Sequence, residues 1–439
     1  MRSEPARTWP VAIVGGGFSG TMTALQLARA GVASVLIDGS GRLGRGVAYA
    51  TREPAHVLNV ISDKMSAWPD RTRDFADWIG DAGTGFAERR AFGQYLAEQL
   101  QGTEEVRPID AMACEATRDG EGWRVRLSKG EELRASGLVL ALGNQPPAAV
   151  PQAEGLAADL FINNPWSERA DQAIERAARD GADVLIFGTG LTMIDTVLSL
   201  DAAGHRGRIT ALSRRGLVPR AHVDPPVAPA PVALEDLPLG AMLPLWRWLR
   251  RRSAEVGFRA AVDSLRPHSH AIWRSLAPAE VSRFLRHARP WWDVHRHRIA
   301  PEVAARLKNA IGDARLEIMA GRLGSLQPAA DGGLRATIRR RGDGVAERRV
   351  GLAFNCTGPL GDMRRTQDPL LAGLLQSGQV ALDDYALGLE VDERSRAGER
   401  LWALGPMTKG RFWEITAVPD IRGQAAAVAA GIVAELQPR

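Results

Sequence analysis

The chain has 439 residues, 45% hydrophobic and 24% charged, with a formal net charge of +5 and only two cysteines. That composition can bury two or three domain cores and excludes a disordered, collagen-like or disulfide-framed protein. The basic charge is almost all arginine (Lys64, Lys129, Lys308 and Lys409 are the lysines), and no nucleic-acid-binding motif accompanies it, so no nucleic-acid partner is expected.

The opening stretch MRSEPARTWP lacks an apolar run of signal-peptide length, and no window of about 18 apolar residues follows it. A cytoplasmic protein without a membrane partner is expected. Val11–Val14 reads as a buried strand, and Phe18–Ala30 has helical spacing (Met22, Leu25, Leu27) ending at Gly31. Between them Gly15, Gly17 and Gly20 fit G-x-G-x-x-G. Gly15 permits a tight turn, Gly17 lets the backbone approach a pyrophosphate, and Gly20 lets helix and strand pack closely. Backbone amides at the helix start, at Phe18 and Ser19, would hold the phosphates with the help of the helix dipole. The next strand, Val35–Ile37, stops at Asp38. Its carboxylate can accept from ribose hydroxyls and would repel a 2′-phosphate, so this first site predicts FAD or NAD rather than NADP.

Gly137–Pro147 is an apolar strand ending in Gly143 and a proline-rich exit. The strand–glycine–helix logic repeats in Ala182–Leu200, with Gly188, Gly190 and Thr192 in the turn and Met193 where the third glycine would stand. The strand that follows ends in Ser213, Arg214 and Arg215. Guanidinium groups suit a 2′-phosphate, so the second site reads as NADPH; if the arginines only line a solvated loop, NADH fits.

Asp224–Val232 is proline-rich, and Leu237 to about Leu307 reads as helices inserted in the second domain. Pro244–Val262, basic and aromatic, is expected to cover that domain rather than lie on a membrane. His295, Arg296, His297 and Arg298 cluster without acids, so no metal site is expected. Leu352–Pro359 is a further apolar strand ending at Gly358, and Leu401–Leu436 reads as a strand, a turn at Gly405, a loop through Thr416 and a closing helix from about Asp420. In folds with two dinucleotide domains such a helix start points at the flavin pyrimidine.

Gly44–Gly80, containing GVAY, HVLNV and MSAWPD, resembles a bacterial family of FAD/NAD(P)-binding proteins that includes an FAD-dependent urate hydroxylase and an aspartate N-monooxygenase. GTGLTMID, SRRGLVPRAH, WDVHRHRIAP and FNCTGP extend the resemblance over nearly the whole chain. It implies monooxygenation: NAD(P)H reduces FAD, O2 adds as a C4a-hydroperoxide, and a small polar nitrogen-containing substrate, urate-like or amino-acid-like, takes the distal oxygen. It also places Asn59, Lys64 and Met65 on the flavin-facing loop. Asn59 would hydrogen-bond near the isoalloxazine, Met65 would pack on the ring, and Lys64 would neutralise an anionic flavin or substrate. Plainer roles exist for each, as turn residue, core filler and surface lysine.

Cys114 and Cys356 cannot form a local redox pair, which argues against a disulfide reductase. FINNPWSERA departs from the Baeyer–Villiger pattern, leaving hydroxylation of nitrogen or an electron-rich ring. The expected fold is α/β: a Rossmann-like FAD domain from 1–145 and 352–439, a linker 146–179, and an NAD(P)-binding domain 180–351 with a helical insertion at about 235–310. An NAD(P)H reductase serving another acceptor and a non-catalytic flavin-binding regulator stay open as alternatives, as does the oligomeric state.

Overall fold

The apolar run Val11–Val14 ends strand Thr8–Val14, which has parallel neighbours on both sides, Ser34–Ile37 and Glu132–Leu140. A strand covered on both faces has no solvent side, which is why its sequence is continuously apolar rather than alternating. The structure, a computed structural model, describes residues 8–436 apart from 331 and 343. The chain divides into two compact units, one of Met1–Arg52, Val60–Gln145 and Asp362–Arg439, the other of Glu53–Asn59 and Pro146–Gly361.

In the first unit the strands are ordered Arg396–Gly398, Leu401–Ala403, Glu132–Leu140, Thr8–Val14, Ser34–Ile37, Val106–Ile109. A hairpin of Ala113–Asp119 and Gly122–Leu127 joins antiparallel to Glu132–Leu140. The helix Phe18–Arg29 follows the first strand and packs against the last helix, Val418–Leu436. Phe75, Phe92 and Tyr95 are fully buried and meet at ring-centroid distances of 4.9 to 5.7 Å, binding the helices Asp74–Ile79 and Arg89–Gln99 together.

The second unit has a seven-stranded sheet ordered Val345–Val350, Leu334–Arg340, Leu316–Pro328, Ile209–Ser213, Val184–Phe187, Leu352–Asn355, Phe161–Ile162. Its last five members run parallel, and Leu316–Pro328 continues into an antiparallel meander. Three sequence boundaries need correction. Leu352–Asn355, expected in the first domain, pairs with Val184–Phe187 and Phe161–Ile162, and the first unit resumes only at Asp362. Four buried apolar residues suit either sheet; pairing decides, and composition does not report pairing. The expected linker 146–179 is not a linker: it holds strand Phe161–Ile162 and helix Glu168–Asp180. Glu53–Asn59, in the first domain by sequence, groups with the second unit.

The helical segment begins at Met242 and closes with Pro301–Gly312, which packs on Leu316–Pro328. Met242–Val256 buries Met242, Leu245 and Leu249, one stripe at helical spacing, and Leu249 packs in a cluster with Leu237, Ala261, Val262 and Leu265. Among the described residues no helix is long and apolar enough to cross a membrane.

Candidate cofactor-binding site

Each unit carries a glycine turn at the carboxyl end of a buried parallel strand. In the first, Gly15 has φ +104°, a conformation closed to most side chains, and a Cβ there would overlap the carbonyl of Ala141, just past the neighbouring strand Glu132–Leu140. A Cβ on Gly20 would in turn overlap the carbonyl of Gly15. These two glycines therefore serve the turn and the packing. Gly17 is different: its open side meets nothing nearer than Gly46 Cα at 3.5 Å. It is the N-cap of Phe18–Arg29, supplies no capping side chain, and no acid stands in the first helical turn. Among the described residues nothing accepts from the amides of Gly17, Phe18 or Ser19. Unsatisfied amides at the positive end of a 12-residue helix are a ready anion cradle.

Asp38 follows Ser34–Ile37 and faces this turn. Its Oδ2 accepts from the Gly16 amide at 2.7 Å; its Oδ1 accepts from the Ser40 amide at 2.8 Å and from the Ser40 hydroxyl. The acid thus shapes the glycine turn as well as offering remaining lone pairs to a ligand. Gly44 and Gly46 were missed by the sequence reading as site residues. Gly44 donates its amide to the Gly16 carbonyl at 2.8 Å, and a Cβ on Gly46 would come 2.9 Å from Gly17 Cα. The G-R-G spacing at 44–46 was the available signal.

The other residues expected at the first site lie past the neighbouring strand ends. Gly143 follows Glu132–Leu140, and Gly405 follows Leu401–Ala403, its amide held by Gln424 Oε1 at 2.8 Å. Thr416 is exposed, two residues before Val418–Leu436, and its amide bonds the Glu414 carbonyl.

In the second unit Gly188 repeats Gly15: φ is +109°, and a Cβ would overlap the Cys356 carbonyl. Gly190 caps Leu191–Ala202 with nothing within 4 Å of its open side and no acid in the first turn. Thr192 lies in that turn and its carbonyl accepts from Thr196 Oγ1 at 2.9 Å; Met193 is fully buried. Ser213 is a structural hub, its Oγ accepting from Thr189 Oγ1 at 2.8 Å and from the Gly216 amide at 3.0 Å. Arg214 is exposed and Arg215 half-buried, and among the described residues neither pairs with an acid. Both guanidiniums follow the strand Ile209–Ser213.

The resemblance-based loop residues separate. Asn59 belongs to the second unit, where its carbonyl accepts from His222 Nε2 at 3.1 Å. Burial, then the Arg298 guanidinium, pushes the His222 imidazole down to about 4. His56, in the same segment, is buried with Nε2 2.9 Å from the Asp195 carbonyl and 3.1 Å from Ser199 Oγ. Both contacts join segments more than a hundred residues apart, so no local pattern carries them. Met65 and Lys64 belong to the first unit. Met65 is buried in a loop pinned by Arg422 Nη1 donating to the Ser66 carbonyl at 2.8 Å and by the Ala67 amide donating to Tyr95 Oη at 3.2 Å. Lys64 is exposed at the end of the turn Ser62–Lys64. Among the described residues no group of His, Cys, Asp and Glu could hold a metal ion.

Residues 12–145 match a family model described as FAD-NAD(P)-binding. An uncharacterized protein of Mycobacterium bovis is 24% identical over 401 residues, covering 80% of this chain and 74% of its own. Three solved structures share the fold. An ornithine N-hydroxylase of a Kutzneria species has TM-score 0.67 at 16% identity, covering 98% of this chain and 100% of that one. The FAD-bound cadaverine monooxygenase of Erwinia amylovora has TM-score 0.66 at 12% identity, over 98% and 96%. The bacillithiol disulfide reductase of Staphylococcus aureus has TM-score 0.60 at 14% identity, over 98% and 100%. The chain therefore has the α/β two-dinucleotide-binding-domain flavoprotein fold. An N-hydroxylase, a monooxygenase and a disulfide reductase share it, so the choice between them falls to the site residues.

Proposed function

We propose that the chain is an FAD-dependent, NAD(P)H-driven oxidoreductase acting as a monooxygenase on a small polar nitrogen-containing substrate. The observation that carries this is the pair of glycine cradles with opposite ribose-end chemistry, Asp38 in one and Arg214 with Arg215 in the other. The residues present fit the cofactors. The free amides of Gly17, Phe18 and Ser19 would hold the FAD pyrophosphate, and Asp38 its adenosine ribose. Gly188, Gly190 and Thr192 would hold the nicotinamide dinucleotide, and Arg214 and Arg215 a 2′-phosphate, favouring NADPH over NADH.

Bound FAD supplies the transfer of electrons from the nicotinamide to O2. The protein's part is to hold both nucleotides, orient the loops at the strand ends and keep water from the reacting centre. Asn59 and Met65 remain candidates for contact with flavin or substrate.

Cysteine chemistry disfavours a disulfide reductase. The Cys356 thiol is fully buried and pushed up to about 12, with Sγ 3.3 Å from Thr196 Oγ1, so it supplies no thiolate near neutral pH. The fold shared with a solved ornithine N-hydroxylase and a solved cadaverine monooxygenase supports the nitrogen-hydroxylation branch. The test is to supply NADPH and O2 with ornithine, aspartate, cadaverine or urate and read product mass. Gain of one oxygen supports the proposal; consumption of NADPH with a reduced acceptor and no oxygenated product favours an NAD(P)H reductase.

A further inference from the structure

The order of the first sheet fixes the direction in which FAD must run, given the reading that the first glycine turn holds it. Asp38 lies at the end of Ser34–Ile37, on one side of Thr8–Val14; Gly143 and Gly405 follow the two strands on the other side. A dinucleotide with its adenosine ribose at Asp38 and its pyrophosphate at Gly15–Gly20 would run its flavin end toward those two strands. At ~4.8 Å per strand the farther of them, Leu401–Ala403, lies roughly 10 Å across the sheet from Thr8–Val14. The turn Gly405–Thr408, which follows the farther strand, folds back toward the first helix, so that a Cβ on Gly405 would lie 2.6 Å from Ser19 Oγ.

Lys409 directly follows this turn. It is half-buried, and its Nζ donates to Asn144 Oδ1 at 3.0 Å, bridging the ends of Leu401–Ala403 and Glu132–Leu140. The adjacent Gly410 packs on Asp383. That carboxylate is occupied by the amides of Tyr385, Leu387 and Gly388, and burial raises its pKa. The closing helix carries Asp420 in its first turn, which offsets its positive end. The other lysines of this unit sit elsewhere: Lys64 is exposed on its turn, and Lys129 contacts Asp110.

We propose that Lys409 supplies the positive charge at the flavin end of the FAD site and so favours the reduced, more negative cofactor. A cation near the flavin pyrimidine stabilises the charge gained on reduction and raises the reduction potential.

The test uses the FAD-loaded full chain and its flavin midpoint potential, read anaerobically against a reference dye. Lys409→Met removes the charge; Lys409→Gln removes it while keeping a donor for Asn144; Lys409→Arg keeps it; Lys129→Met is the control. Both neutral variants should bind FAD yet show about a tenfold lower ratio of reduced to oxidised flavin at fixed potential, about 30 mV for a two-electron couple. Lys409→Arg and Lys129→Met should match the parent. FAD-loaded neutral variants with the parent's potential overturn the proposal, as does a shift in Lys409→Met that Lys409→Gln does not share. A parent chain that takes up no FAD defeats the underlying reading of the first site instead.

Discussion

Gly20 rests on the carbonyl of Gly15, with no room for a methyl group between them, whereas Gly17, three residues earlier, has room for one, which would meet only Gly46 Cα at 3.5 Å. The two glycines of one motif thus do separable jobs. Gly20→Ala must push the helix off its strand and should cost about 1–3 kcal/mol of stability. Gly17→Ala, at an extended backbone position with φ −75°, should keep the parent's melting temperature but weaken FAD binding, because the methyl covers the free amides. Thermal melts paired with FAD titration check this; equal melting temperatures for the two variants would contradict it.

Arg214 and Arg215 should set the choice of nicotinamide. A charged hydrogen bond is worth about 1.5–3 kcal/mol, so the double alanine variant should raise KM for NADPH by about tenfold to a hundredfold. KM for NADH should stay near the parent's value. A parallel rise for both nucleotides would mean the arginines support the loop rather than read the phosphate.

His222 gives the second unit an acid-sensitive joint to Asn59. Its folded pKa is lowered to about 4, against about 6.5 for an unfolded histidine. Between these values the unfolded chain binds a proton that the folded one does not. Stability from this group is therefore present above pH ~6.5 and lost as pH falls toward 4. His222→Gln should flatten the loss of melting temperature between pH 7 and about pH 5. Identical slopes for parent and variant would refute the assignment.

Strand, glycine turn, helix and acid were legible because each has a local cause: Gly15 needs its positive φ, and Val11–Val14 needs burial on both faces. The same local cause marks Gly188, whose φ is +109°. What escaped depends on pairing between distant segments. Leu352–Asn355 looks the same in either sheet, and only its register with Val184–Phe187 assigns it. The resemblance puts Asn59 on one loop with Lys64 and Met65, yet the Asn59 carbonyl is held by His222, 163 positions away. Lys409 and Asn144 are likewise joined by adjacent strand ends, a relation that no local pattern encodes.

The central claim is that one chain holds flavin in its first cradle and is reduced by a nicotinamide held in its second. The direct measurement is the visible spectrum of the purified, FAD-supplemented protein before and after NADPH is added without oxygen. The account predicts a bound flavin spectrum that bleaches on NADPH addition and returns when O2 is admitted. A protein that retains no flavin, or one whose bound flavin stays oxidised with both NADPH and NADH, would contradict it.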